Sequence, residues 1–109
     1  MTISEELKVL CIYRVRKGKE TEFRRLLEKH WPTLNAAGLT TDEPAEVLWC
    51  EDKVSKSFFA EKFSWLDGNS PEVAHKTPEV MAIWEPMGAL CDEMEFMQIQ
   101  PVPMPFANG

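Results

Sequence analysis

From Lys8 to Arg16 the chain reads KVLCIYRVR, β-rich and apolar on both faces at its centre, which predicts a buried strand. Gly18 ends it. From about Lys19 the period changes, and Phe23, Leu26, Leu27, His30 and Leu34 recur at helical spacing, as the buried stripe of an amphipathic helix does. Pro32 falls inside that stripe and has no amide proton for the carbonyl of Glu28. A kink is expected there, or a break and restart. Gly38 is placed to end the helix in a left-handed cap.

The period then returns to two. Ala45 to Glu51 alternates, with Val47 and Trp49 on one face and Leu48 and Cys50 on the other, and the short polar stretch 51–55 reads as a hairpin connection. Ser57 to Trp65 is the third strand. One of its faces carries Phe59, Glu61, Phe63 and Trp65, the other Phe58, Ala60, Lys62 and Ser64. Two similar helix starts follow, Ser70-Pro71-Glu72-Val73 and Thr77-Pro78-Glu79-Val80. Each offers a hydroxyl at the N-cap, proline at the first position and an acid in the first turn. They predict a short helix over about 71–76 and a longer one over about 78–91. The longer helix buries Val80, Ile83, Trp84 and Met87 and bends at Pro86. Residues 93–100 form the last strand. The tail at 101–109, PVPMPFANG, has three prolines, cannot join a central sheet and is expected to run extended over a surface.

The order β-α-β-β-α-β is the split βαβ arrangement of an α+β, ferredoxin-like domain over residues 1–100. Its two right-handed crossovers give an antiparallel sheet in the order 4-1-3-2 with the helices on one face. The opposite face is left bare. If it is rich in Phe, Trp and Met, it exceeds what a soluble monomer normally exposes. A second copy packed sheet on sheet, a dimeric barrel, is the expected cover.

Composition narrows the partners. A net charge of −6 argues against nucleic acid, which needs a positive field. The one basic run, Arg14, Arg16, Lys17 and Lys19, reads as a solvated edge at a strand-to-helix junction. The opening MTISEELKVL has acids where a signal peptide has bases, and no apolar stretch approaches the roughly 20 residues that span a bilayer. Cys11, Cys50 and Cys91 are odd in number and far apart. They read as small buried hydrophobes in a reducing, cytoplasmic setting.

The stretch Phe59-Ala-Glu61-Lys-Phe63-Ser-Trp65, then His75, then Pro78-Glu-Val-Met-Ala-Ile-Trp84-Glu-Pro-Met, resembles the antibiotic biosynthesis monooxygenase-like group of the dimeric α+β barrel superfamily. So does the opening strand, its Gly-Lys-Glu turn at 18–20 and the helix after it. The likeness covers about residues 8–100. It implies a homodimer and a cavity between sheet and helices that holds a flat phenolic or polycyclic aromatic. Members oxidise such substrates with O₂ and no flavin, haem or metal. Haem-degrading relatives carry a histidine late in the second helical region, and this chain has none after His75. One fold of this kind hosts many chemistries.

Two catalytic candidates emerge. Glu61 lies between Phe59 and Phe63 on the more apolar face of a central strand. Burial there disfavours the charged form of a carboxylate, as a general base near neutral pH requires. Equally, it could pair with Arg14 or Arg16 as a structural ion pair. His75 sits where the resemblance places the group's histidine and could take a phenolic proton; the alternative is a surface or capping histidine. His30, on the buried stripe beside Pro32, reads as a hydrogen-bonded core histidine. Trp49, Trp65 and Trp84 are candidate walls of a substrate pocket, although core packing alone explains each. Tyr13, if it faces the cavity, is the natural hydroxyl donor.

No HxH, HxxxH, CxxC, GxGxxG or GxSxG occurs, so no metal, nucleotide or esterase motif is present and no cofactor is implied. Three functions stay open: a cofactor-independent monooxygenase, a non-catalytic small-ligand-binding dimer, and a structural module whose own side chains fill the cavity.

Overall fold

The computed structural model describes residues 5–54 and 56–106. The hairpin connection read at 51–55 and the tail read at 101–109 therefore lie partly outside the described residues, as does the start of the opening segment. Seven elements follow in order. They are β1 (Leu7–Val15), α1 (Glu20–Ala36), β2 (Glu46–Cys50), β3 (Phe58–Trp65), α2 (Ser70–His75), α3 (Pro78–Ala89) and β4 (Cys91–Gln98). The strands make one antiparallel sheet in the order β2-β3-β1-β4, the arrangement expected from the sequence.

Register decides which side chains meet. Cys11 pairs with Glu61, Val9 with Phe63 and Tyr13 with Phe59, so these residues share the helix-facing side of the two central strands. On that side Tyr13, Phe23, Leu34, Val80 and Met87 are almost wholly buried. Phe23 of α1 packs between Tyr13 and Phe59, tilted against the first and stacked on the second, with ring centroids 5.0 and 5.7 Å away. The other side of the sheet carries Leu10, Ile12, Leu48, Phe58, Ala60 and Met97 with no helix over them. Leu48 and Met97 are exposed. No tryptophan lies there: Trp49 and Trp65 both fall on the helix-facing register.

Several local details differ from expectation. Of the two outcomes expected at Pro32, the break does not occur, and α1 runs continuously to Ala36. One absent amide is tolerable when the neighbouring turns keep their bonds and one face is packed. Gly38 ends the helix at φ +77°. Leu39 N–H donates to Leu34 O and Gly38 N–H to Asn35 O, the paired bonds of a Schellman cap. α3 stops at Ala89 and β4 begins at Cys91, two residues before the expected start. A register shift at Arg14/Val15 leaves Asp92 as the extra residue of a bulge and turns Cys91 inward.

Neither expected hydroxyl cap forms. Asp67 Oδ1 accepts from the amides of Asn69 and Ser70 and from Ser70 Oγ, while Thr77 Oγ1 donates back to Val73 O. Nor are all three thiols buried. Cys11 and Cys91 are, but Cys50 is half-buried on edge strand β2. Three residues of the basic run are ion-paired locally, Arg14 with Glu93 and Glu95, Arg16 with Asp92 and Lys19 with Glu22. The stretch 101–106 is exposed and carries neither helix nor strand.

Because Phe23 joins α1 to both central strands and is fully buried, Phe23→Ala should cost about 3–5 kcal/mol in urea unfolding. The fully exposed Val54 provides the control, and its alanine variant should match the parent within about 0.5 kcal/mol. A loss of under about 1 kcal/mol at Phe23 would contradict this packing.

Candidate functional site

Glu61 sits at the centre of β3 and is fully buried. An ionised carboxylate taken out of water incurs several kcal/mol and must be hydrogen-bonded. Two neutral donors meet it. Tyr13 Oη donates to Oε1 at 2.6 Å. His30 Nδ1 lies 2.9 Å from Oε1 and 3.0 Å from Oε2. Hydrogen bonds to a charged group contribute about 1.5–3 kcal/mol each, so this pair offsets most of the burial cost. The arginine partners considered from the sequence are elsewhere: Arg14 bonds Glu95 and rests 4.6 Å over the Phe58 ring on the bare face.

The fourth member of the network fixes the proton on His30. Trp84 of α3 is a donor only, and its Nε1 lies 2.8 Å from His30 Nε2. Nε2 is therefore the acceptor, and Nδ1 carries the hydrogen that faces Glu61. A chain of hydrogen bonds thus runs Trp84–His30–Glu61–Tyr13, drawing on α3, α1, β3 and β1. His30 is the hydrogen-bonded core histidine that its place on the α1 stripe indicated. What the pattern of residues alone did not reveal is its partner, because 31 positions separate it from Glu61.

In front of this chain lies a cavity of about 440 Å³ between the sheet and the helices. Tyr13, His30, Trp65, His75 and Trp84 are in its wall, together with apolar side chains that include Phe63, Met94 and Phe96. Its size and mostly apolar lining, with a few converging polar groups, are those of small-ligand sites. Glu61 is not in the wall. It stands one layer behind, with Tyr13 and His30 in front of it. His75 ends α2, is exposed, and sets its ring 4.8 Å from that of Trp84 at 68°. Among the described residues it makes no hydrogen bond.

The structure thus brings Tyr13, Trp65, Trp84 and His75 to one cavity and leaves Trp49 out. β2 is an edge strand, and the pairing Trp49↔Phe59 puts this indole in a separate groove beside Arg24 and Leu27 of α1. That groove is wide and charged at its rim, and no buried polar group points into it. Tyr13 also differs from expectation in one respect. Its only proton is committed to Glu61, so toward the cavity its oxygen can accept but not donate. Among the described residues no group of three or more His, Cys, Asp or Glu side chains gathers as a metal site, and no helix is long and apolar enough to cross a membrane.

The Glu61 charge reaches its neighbours. Burial, then the Glu61 carboxylate, push the Cys11 thiol up to about 12. The same two causes, in the same order, raise Tyr13 well above its ordinary 10.0. The folded chain consequently binds the Tyr13 proton more tightly than the unfolded chain does. The stability this provides is complete below about pH 10 and is lost as the pH rises through the raised value. Tyr13 is the single tyrosine, so tyrosinate absorbance reports it alone. Absorbance should appear only together with loss of the helical circular dichroism signal. A reversible titration near pH 10 with the fold intact would contradict the buried Tyr13–Glu61 bond.

No family profile matches the chain, and no curated protein matches it in sequence. Its fold is nevertheless shared by solved structures. SnoaB, a cofactor-independent oxygenase from Streptomyces nogalater, superposes with a TM-score of 0.69 at 12% identity, over 94% of this chain and 98% of its own. An antibiotic biosynthesis monooxygenase gives 0.69 at 13% identity, over 89% and 99%. PA3566 from Pseudomonas aeruginosa gives 0.71 at 14% identity, over 94% and 100%. The fold is that of the antibiotic biosynthesis monooxygenase-like group. At such identities the likeness extends to the fold alone.

Proposed function

We propose that the chain is a cofactor-independent monooxygenase acting on a small phenolic or polycyclic aromatic substrate in the cavity between sheet and helices. The observation that carries this reading is the cavity itself. Its wall is mostly apolar and aromatic, its volume suits a flat ring system, and its polar groups include a histidine, a tyrosine, an indole-locked imidazole and the Gln98 amide, with no lysine or arginine among them. Such a wall favours a neutral aromatic bearing a hydroxyl or a carbonyl. The fold shared with SnoaB, a cofactor-independent oxygenase, supports the same class.

In this reading Trp65 and Trp84 flank the substrate ring, and His75, whose ring nitrogens have no other partner among the described residues, takes a proton from it. The resulting anion is electron-rich enough to reduce O₂ directly. For a ring methylene the balance is CH₂ + O₂ → C=O + H₂O: the substrate supplies all four electrons, one oxygen atom enters the product and the other leaves as water. No external reductant is required. Glu61 serves as the anchor of the wall behind Tyr13 and His30.

A non-catalytic binder on the same fold is the second reading, and the exposure of His75 favours it, because a side chain open to solvent is not held in position against a substrate proton. The two separate by experiment. Chelator-treated protein should consume one O₂ per ketone formed from an anthrone-like ring methylene, and His75→Ala should lower the rate by about 10²–10⁴-fold. Tryptophan quenching by such compounds with no oxygen uptake would leave the binder.

The bare face of the sheet leads us to propose also a homodimer packed sheet on sheet. Leu10, Ile12, Leu48, Phe58 and Met97 lie there side by side, ringed by the ion pairs Arg14–Glu95 and Lys62–Glu46. A sheet normally buries its apolar face against another layer. Gel filtration at low micromolar concentration should therefore give twice the chain mass of 12.5 kDa. A stable species at the single-chain mass would refute the pairing.

A further inference from the structure

We propose that Tyr13 accepts the proton of an acidic hydroxyl on the cavity's ligand while passing its own proton to Glu61 behind it. This rests on the reading of the cavity as a site for hydroxylated aromatics, but not on any reaction with oxygen. It gives the cavity a second proton acceptor, on the sheet side, where His75 stands on the helix side.

The geometry dictates the direction. A phenolic oxygen has one proton and two lone pairs, and the Tyr13 proton is held by Glu61 Oε1 at 2.6 Å. The only hydrogen bond Tyr13 can offer a ligand is therefore as an acceptor. A ligand hydroxyl donating to it completes the line ligand O–H···Oη–H···Oε1. Transfer breaks the ligand O–H bond and forms a new one on Tyr13. It breaks the old Tyr13 O–H bond and forms one on Glu61. Tyr13 ends as it began, neutral, now donating to the ligand oxygen and accepting from the Glu61 hydroxyl.

One negative charge has moved from the carboxylate to the ligand, and none has been created. That conservation is what makes the step accessible in a dry wall. Ionising Tyr13 itself would place a second anion beside Glu61, and both burial and the Glu61 charge resist this. Moving the existing charge requires no new ion to be desolvated.

The groups that face Glu61 from the elements packed on it are Cys11 and Tyr13 of β1 and His30 of α1. None is a fixed cation that would pin the charge in place. Cys11 is held as a neutral thiol by burial and by the same carboxylate. His30, its Nε2 occupied by Trp84, keeps Nδ1–H on both carboxylate oxygens and holds the carboxylate in line with Tyr13.

The test uses a nitrophenol as ligand and the full chain, with the visible phenolate band of the bound probe as readout. A proton that stays inside the complex does not answer to bulk pH. Bound probe should therefore keep a constant phenolate fraction over about two pH units below its ionisation in water. Tyr13→Phe, which preserves the ring, should still bind the probe and lose the band. Glu61→Gln should do the same, and His75→Ala should keep it.

If Glu61→Gln does not fold, the wild-type pH profile and Tyr13→Phe decide the question. A band that follows bulk pH in the wild type overturns the proposal, as does its survival in Tyr13→Phe, its loss only in His75→Ala, or failure of the probe to bind. The oxygenase reading fails separately: a constant band without oxygen uptake removes the oxygenase and leaves the relay. A band that follows bulk pH while oxygen uptake persists removes the relay and leaves the oxygenase.

Discussion

A fully buried carboxylate at the centre of a sheet constrains everything packed around it. Glu61 is closed off from bulk solvent and, among the described residues, has no lysine or arginine beside it, so its stability rests on donors arriving from other elements. One comes from the neighbouring strand, as Tyr13, and one from α1, as His30. The second of these needs a tautomer with hydrogen on Nδ1, which Trp84 of α3 secures. Four elements separated widely in sequence are thereby tied to one charge. Their mutual placement also opens the cavity, because the rings that satisfy Glu61 on one side form part of the wall on the other.

The same arrangement sets what the cavity can do. Tyr13 and His30 both give their hydrogens to Glu61, and His30 Nε2 is taken by Trp84, so it is Tyr13 that presents acceptor capacity to a ligand on this side of the wall. A ligand able to donate fits this wall better than one able only to accept. His75, across the cavity against the Trp84 ring, has no competing partner among the described residues. The sheet-side and helix-side groups therefore differ in kind. One is held in a dry hydrogen-bonded line and the other is open to solvent.

Much of the fold was legible in the sequence because alternation and helical periodicity are dictated by local geometry. Phe23, Leu27, His30 and Leu34 mark the buried face of α1, and Phe59, Glu61, Phe63 and Trp65 mark one face of β3. The misplaced details are those decided by which of several competing local bonds forms, or by strand register. Thr77 turns its hydroxyl back to Val73, Asp67 caps α2 in place of Ser70, and a bulge at Asp92 starts β4 early. For the site, position along the chain pointed to Glu61 as unusual but named arginines as its partners. The pair Glu61–His30 was hidden because a lone histidine on a helix stripe and a lone acid on a strand carry no spacing that links them. The one available signal was chemical: two buried titratable groups facing the same layer must satisfy each other. Trp49 alternates correctly on β2, and the expected order 4-1-3-2 already puts that strand at an edge; what periodicity could not show is that the cavity opens over β1, β3 and β4 instead.

The network depends on the direction of the hydrogen bonds from Trp84 to His30 and from His30 to Glu61. Nitrogen-15 NMR of the His30 side chain reads it directly. The account predicts a protonated Nδ1 and an unprotonated Nε2 with the shift of a hydrogen-bond acceptor, coupled to the Trp84 indole proton. Hydrogen on Nε2 instead, or on both nitrogens, would mean that Trp84 does not lock the ring, and the line from Trp84 to Tyr13 would not exist as described.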